Sequence, residues 1–245
     1  MRLSLSGVFA DARAMWRNHR DILGAIAGVF FVVPILGILF LMAQGGLPAD
    51  PDPVKLNEAV RKFYSDNLLS FLLANLMIDF GTFALFVLFL QPGERTLGET
   101  LAITLRRLVP FIAIDLIAAI LFGIGMSLFV LPGLFAFGRT WLAVPALAAN
   151  PEQGLAGAFR QGWQRSDGLR WLALIGAATV TVMAAVFAIL LGSVLLGLLG
   201  AAVGDNIALE MAGYALIAII GGIAWVTMGL IRVAAYRRTG PSTGI

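Results

Sequence analysis

Cysteine is absent from the 245 residues, and histidine occurs once. Disulfides and thiolate metal centres are therefore excluded, and most zinc and histidine-based catalytic designs lose their ligands or bases. Charge is also scarce. Asp, Glu, Lys and Arg make up 13% of the chain, against about 25% in soluble domains. Apolar residues fill the space, at 60%, and the mean hydropathy is +0.92. A water-soluble fold of this size has no interior large enough to hide that surface, so the sequence reads as an integral membrane protein. The net charge of +3 and the pI of about 9.8 would suggest nucleic acid in a soluble protein. Here the basic residues sit in short segments beside apolar runs, which makes membrane lipids the expected partner and nucleic acid an unexpected one. No nucleophile elbow, P-loop, dinucleotide fingerprint or metal-binding helix motif occurs. No enzymatic activity, cofactor or metal is expected.

A bilayer-crossing helix needs about 20 mostly apolar residues. That rule predicts an all-α, polytopic membrane helix bundle of one integral domain, with six transmembrane helices and short cytoplasmic interfacial helices. The predicted spans are 22–43, 68–90, 109–131, 133–150, 171–202 and 207–233. Pro132 and Gly133 are expected to break the third run into a hairpin whose second arm carries Pro145. The fifth run is too long for one upright helix, so tilt or an end outside the bilayer must absorb the excess. The first run is as long as a full span and starts too late for a secretory signal, so its helix is expected to be kept. The polar stretch 44–67 is too short to own a core. It is expected to start extended at its prolines and then form a short surface helix from about Pro53 to Ser65.

Basic residues set the orientation. Arg2, Arg13, Arg17 and Arg20, then Arg95, Arg106 and Arg107, then Arg160, Arg165 and Arg170, then Arg232, Arg237 and Arg238 all fall on one face of this arrangement. Lys55, Arg61 and Lys62 fall on the other. Both termini are expected in the cytoplasm, and the address is a bacterial inner membrane.

Three cytoplasmic segments look alike. They read "SGVFADARAMWRNHRDILGAI", "ERTLGETLAITLRRLVPFIAI" and "EQGLAGAFRQGWQRSDGLRWLALI", each apolar at helical spacing and each leading into a span. Leu97, Leu101, Leu105 and Leu108 share one face of the second. Leu155, Phe159 and Trp163 share one face of the third. Such helices are expected in the headgroup plane, with arginines toward anionic phosphates. A threefold repeat, if present, would run parallel about the membrane normal.

Asp79, Asp115 and Arg139 fall inside predicted spans, where a charge costs several kcal/mol unless paired or wet. Arg139 lies roughly 9 Å in from the outer side and Asp79 about 16 Å in, at the helical rise. An arginine side chain can bridge that difference, so an Asp79–Arg139 pair is expected, with Asp115 as a further member and Asn75 one turn from Asp79. Such a cluster is either an interhelical lock, the favoured reading, or a site for a proton, an ion or a lipid headgroup. His19 reads as an interfacial, solvated residue. Trp141, Trp171 and Tyr236 suit aromatic belts, and Gly24-x-x-x-Gly28 and Gly200-x-x-x-Gly204 permit close helix contact.

The run "GIGMSLFVLPGLFAFGRTWLAVPALAANPEQGLAGAFRQGWQRSDGLRW" resembles a segment shared by two related groups. One is the YciC-like family of uncharacterised bacterial inner-membrane proteins. The other is the membrane domain fused to glycerophosphodiester phosphodiesterases. Pro132-Gly133, Pro145, Ala158-Phe159 and Gly168 occupy matching places, and Arg139 stands where the phosphodiesterase-associated domain often has arginine. Asn150-Pro151 precedes Glu152 where that family commonly has an acidic residue, so the pattern departs there. The resemblance implies a fold and a membrane address. It does not imply phosphodiester hydrolysis, which belongs to a separate soluble domain. The function expected is therefore a non-enzymatic envelope role through lipids, a protein partner or a homo-oligomer. The alternative is a small transporter or lipid-handling protein built on Asp79, Asp115 and Arg139.

Overall fold

The computed structural model describes residues 3–45, 53–93, 95–203 and 206–240. It is all-α, with no strand among the described residues. The helices are α1 Leu5–Asn18, α2 Arg20–Ala27, a π-helical turn at Gly28–Val32, α3 Val33–Gly45, α4 Pro53–Asp66 and α5 Leu68–Leu90. They continue with α6 Leu97–Arg106, α7 Leu108–Leu128, α8 Val130–Thr140, α9 Ala143–Ala149, a 3-10 turn at Pro151–Gln153, α10 Gly154–Arg165, α11 Arg170–Val203 and α12 Ile207–Arg238.

Among the described residues, six helical runs are long and apolar enough to cross a membrane: Arg20–Gln44, Leu68–Leu90, Leu108–Leu128, Val130–Ala149, Arg170–Ala201 and Ile207–Arg238. Each coincides with an expected span. The excess in the fifth is taken up without a break, since α11 runs for 34 residues, roughly 51 Å at the helical rise. The short helix after the prolines is α4. The extended start expected at Pro48 and Pro51, and Gly204 of the second glycine pair, lie outside the described residues.

Prolines explain the irregularities inside the spans. Pro34 has no N–H to give Phe30, and the π-helical turn sits directly before it, closed by the Val33 N–H to the Gly28 carbonyl. The hairpin between the third and fourth spans is tighter than expected and falls earlier. Phe129 alone leaves the helix, with φ −174° and ψ 159°. Pro132 and Gly133 lie in the first turn of α8, where a missing N–H leaves no helical bond unmade. The fourth span is itself broken at Trp141–Leu142, two residues before α9, whose third residue is Pro145.

The chain divides into two compact units. One takes the N-terminal segment up to Gly24, Thr82–Ala184 and the chain from Ala224 onward. The other takes Ala25–Gly81 and Ala185–Ile223. In the first, Phe83 stacks on Phe111 at 4.4 Å, and Phe86, Ile114, Leu142, Leu174 and Ile231 are fully buried with them. In the second, Phe31 and Ile26 are fully buried and Phe30 packs on Phe80 at 5.1 Å. The outward surface is as apolar as the interior: Phe187 and Leu198 of α11 are 69% and 65% exposed. Only a hydrocarbon surround makes that arrangement stable. Lys55, Arg61 and Lys62 belong to the second unit, and every other Lys or Arg of the 17 belongs to the first, whereas the 14 Asp and Glu divide evenly. Arg139 thus joins the basic set.

Candidate functional site

The basic end of the first unit is built around carbonyl groups that helix breaks leave without donors. Pro145 cannot donate to the carbonyl four residues back, which is that of Trp141. Arg232 of α12 fills the vacancy with Nε at 3.1 Å and Nη2 at 2.9 Å. Its guanidinium also lies 4.9 Å from the Phe86 ring. The same solution recurs at other helix ends, whose last carbonyls have no helical partner. Arg165 donates from Nη1 to the Tyr236 carbonyl at 2.7 Å. Arg237 donates from Nη2 to the Phe89 carbonyl near the end of α5. Gln91 donates to the Ala148 carbonyl in α9 at 3.2 Å. Gln153 adds a second donor, at 2.7 Å, to the Ala146 carbonyl, which already accepts the Asn150 N–H. Cations at helix C-termini also oppose the negative end of the macrodipole. Trp141 and Tyr236, expected in aromatic belts, are instead buried among these caps.

Arg139 sits in the last turn of α8 and is buried. Its Nη1 pairs with Asp167 at 3.0 Å, and its Cζ lies 4.6 Å from the Trp163 ring. Asp167 follows α10 in the connector and is mostly exposed. The residue that reading by depth placed toward the outer side therefore meets the connector carrying Arg160, Arg165 and Arg170. Asp115 is half-buried in α7 of the same unit, and Asp79 is half-buried in α5, within the second unit. Asn75 donates to the Phe71 carbonyl of its own helix at 2.8 Å. His19 is exposed, edge-on to Phe89 at 5.2 Å.

Three carboxyls outside the spans are held below their usual range: Glu99, chiefly by the Thr96 backbone N–H, Asp167 and Asp11. For Asp167 the Gly168 backbone N–H is the main cause, with Arg139 second. For Asp11 it is the hydrogen bond from Arg238, whose Nε lies 2.6 Å away, with burial opposing and the charges of Arg238 and Arg237 adding. Burial lowers the Arg165 guanidinium from its ordinary value. Among the described residues, three buried guanidinium nitrogens have no partner: Nη1 of Arg107, Nε of Arg139 and Nε of Arg165. No group of three or more His, Cys, Asp or Glu among the described residues is placed to hold a metal ion.

Two of the three connector helices, α6 and α10, pack through small residues and not through the large ones. In α6, Thr100 and Thr104 are fully buried while Leu105 is 65% exposed. Thr96 starts this helix with a reciprocal cap to Glu99. In α10, Ala158, Gly162 and then Ser166 form the packed stripe, while Trp163 is 40% exposed and Leu155 and Phe159 are half-exposed. In α1, Val8, Ala12 and Met15 are buried while Leu5, Phe9 and Trp16 lie to one side, partly exposed. The leucine and aromatic stripes, which share one face in the sequence, are thus left largely open. At about 100° per residue, the bulky stripe follows the packed one by roughly 60–80°, in the same rotational sense in all three. Exposed arginines lie near that stripe at Arg13, Arg17 and Arg160. Gly162 lets α10 fold back along α9, because a Cβ there would stand 2.6 Å from the Ala143 nitrogen.

No protein-family model, no curated protein and no solved structure matches the chain.

Proposed function

We propose that this chain is a non-enzymatic, multi-pass protein of the bacterial inner membrane, with both termini in the cytoplasm. It acts through lipid or partner-protein contacts made by its connector helices. The observation that carries the reading is the repeated geometry of α1, α6 and α10. Each buries one stripe, of small residues in α6 and α10 and of Val8, Ala12 and Met15 in α1, and leaves a bulky apolar stripe open on the same side, in the unit that holds nearly all the basic residues. An amphipathic helix of this kind sinks its apolar face to the headgroup boundary and is retained there by anionic lipid. Kinship with the YciC-like group, resting on Pro132-Gly133, Pro145 and Gly168, belongs to the same proposal and adds no reaction.

The absence of native cysteine makes the test direct. Nitroxide labels placed singly at Leu105, Trp163 and Arg106 in liposomes report depth by their relative access to oxygen and to a water-soluble paramagnet. Leu105 and Trp163 are expected at the headgroup boundary and Arg106 in water. Equal water access at all three would sink the reading. The transporter alternative needs Asp79, Asp115 and Arg139 on one water-reachable path. It gains less support, because the Arg139 guanidinium is engaged by Asp167.

A further inference from the structure

We infer that the first unit holds a binding site for a phosphate-bearing anion between Arg165 and Arg237. A cavity of about 540 Å³ opens at the basic end of this unit, and both arginines line it together with Phe89, Leu90, Gln91 and Tyr236. That volume is within the range of about 300–1,000 Å³ seen for small-ligand sites.

Both cations are fixed before any ligand arrives. Arg165 is clamped by the Tyr236 carbonyl and lies 3.8 Å from the centre of the Tyr236 ring. Arg237 is held by the Phe89 carbonyl. Neither is neutralised: among the described residues, no carboxylate stands within ion-pair distance of Arg165 or Arg237. One acidic group in electrostatic contact with Arg237 is Asp11. It feels the charge of Arg237, but its oxygens are taken by Arg238 at 2.6 and 2.9 Å. The Nε of Arg165 is buried without a partner. Two forked, uncompensated guanidinium groups facing one space suit a tetrahedral oxyanion, for which arginine supplies paired donors. Carboxamide and phenol groups in the wall are already used. Gln91 gives its N–H to the Ala148 carbonyl and its oxygen to Arg95, and the Tyr236 hydroxyl engages Gln161 at 3.0 Å.

Phe89 and Leu90 close the last turn of α5, where an apolar span meets its polar end. A ligand seated there touches hydrocarbon on one side and charge on the other. The shared chemistry is a phosphate, carried by a phospholipid headgroup or free in solution. The inference is independent of the connector stripes: it requires the cavity and the two charges, whatever the depth of Leu105 or Trp163.

The test uses the full chain in a non-ionic detergent, with Pro92→Cys at the cavity rim carrying an environment-sensitive dye. It is titrated with dihexanoyl phosphatidylglycerol, dihexanoyl phosphatidylcholine and inorganic phosphate. Phosphatidylglycerol is expected to give a saturable signal at least tenfold tighter than phosphatidylcholine, and phosphate to displace it. If phosphate alone binds as tightly as the lipid, the source is a soluble anion; if the lipid binds more than tenfold tighter, it is a headgroup. Arg165→Gln and Arg237→Gln are each expected to weaken binding about tenfold or more, as loss of a charged fork from an oxyanion site does. Arg160→Gln, on the exposed face of α10, is expected to leave binding unchanged. Equal response to phosphatidylcholine and phosphatidylglycerol, with no displacement by phosphate, overturns the inference. So does undiminished binding to a folded Arg237→Gln variant. The competition arm needs neither arginine variant, so it decides the matter even if both fail to fold.

Discussion

The carbonyl oxygen of Trp141 accepts two hydrogen bonds from Arg232, 91 residues away, at 3.1 and 2.9 Å. Pro145 creates the need, since a residue with an N–H at that position could serve the carbonyl within its own helix. The two features should therefore be energetically coupled. Arg232→Leu strands a buried acceptor, which costs about 1–3 kcal/mol. Pro145→Ala offers Trp141 a helical donor in its place. Thermal unfolding in detergent should show Arg232→Leu clearly destabilised, and the Arg232→Leu, Pro145→Ala double variant less so than the single changes add up to. Strict additivity would mean that the guanidinium is held there for another reason.

Gly162 sets how closely α10 lies on α9. Its missing Cβ leaves room for the Ala143 backbone, with 2.6 Å to the Ala143 nitrogen. Gly162→Ala should destabilise the protein by about 1–3 kcal/mol through overpacking. Gly176→Ala is the matched control. That glycine is in α11, with nothing within 4 Å of the added carbon, and helix propensity should make the change neutral or stabilising by up to about 1 kcal/mol. Equal effects at the two sites would show that α10 is free to move off α9.

Hydropathy made the spans legible because burying apolar length in lipid is the dominant requirement, and Leu68–Leu90 is bounded as the pattern predicts. The ends were less legible. Hydropathy stops at Val233, but α12 continues to Arg238, since charged residues leave the hydrocarbon without leaving the helix. Which face of α6 and α10 packs on the protein was not legible. Large apolar residues signal burial in water, whereas next to lipid the small ones, such as Thr104 and Gly162, mark close approach. The site was the least legible. Asp79, Asp115 and Arg139 stand out as charges in apolar runs. Arg232, Arg165 and Arg237 looked like ordinary connector charges, because their acceptors are backbone carbonyls that no side-chain pattern displays. Pro145 was the one available signal, through the carbonyl it leaves open.

Asp11 and Asp167 make stability sensitive to acid. Both carboxyls titrate below their ordinary value in the folded chain. Groups of this kind contribute above the unfolded carboxylate pKa, and the contribution disappears as pH falls through the lower folded value. Melting temperature should therefore decline from about pH 4 downward, as the unfolded carboxylate range near 3.9 is crossed. Asp11→Asn should flatten that decline more than Asp167→Asn, because Asp11 ties α1 to α12 by two bonds. An acid limb identical in wild type and both variants would assign the loss to other groups.

Arg139 separates the lock from the transporter. It is buried, and the pair it forms is with Asp167, whose side chain is mostly exposed. A lock of this kind predicts coupling between Arg139→Leu and Asp167→Asn in a thermal double-mutant cycle, because loss of either partner removes the same ion pair. The cation–π contact with Trp163 should persist in Asp167→Asn. Trp163 fluorescence should therefore change in Arg139→Leu and be retained in Asp167→Asn. A second cycle pairs Arg139→Leu with Asp79→Asn. Coupling there, with additivity toward Asp167, would return Arg139 to an intramembrane cluster with Asp79. Single-cysteine labelling at Asp115 would then ask whether water reaches that cluster: reaction with a membrane-impermeant maleimide favours a transport path, and protection favours a dry lock.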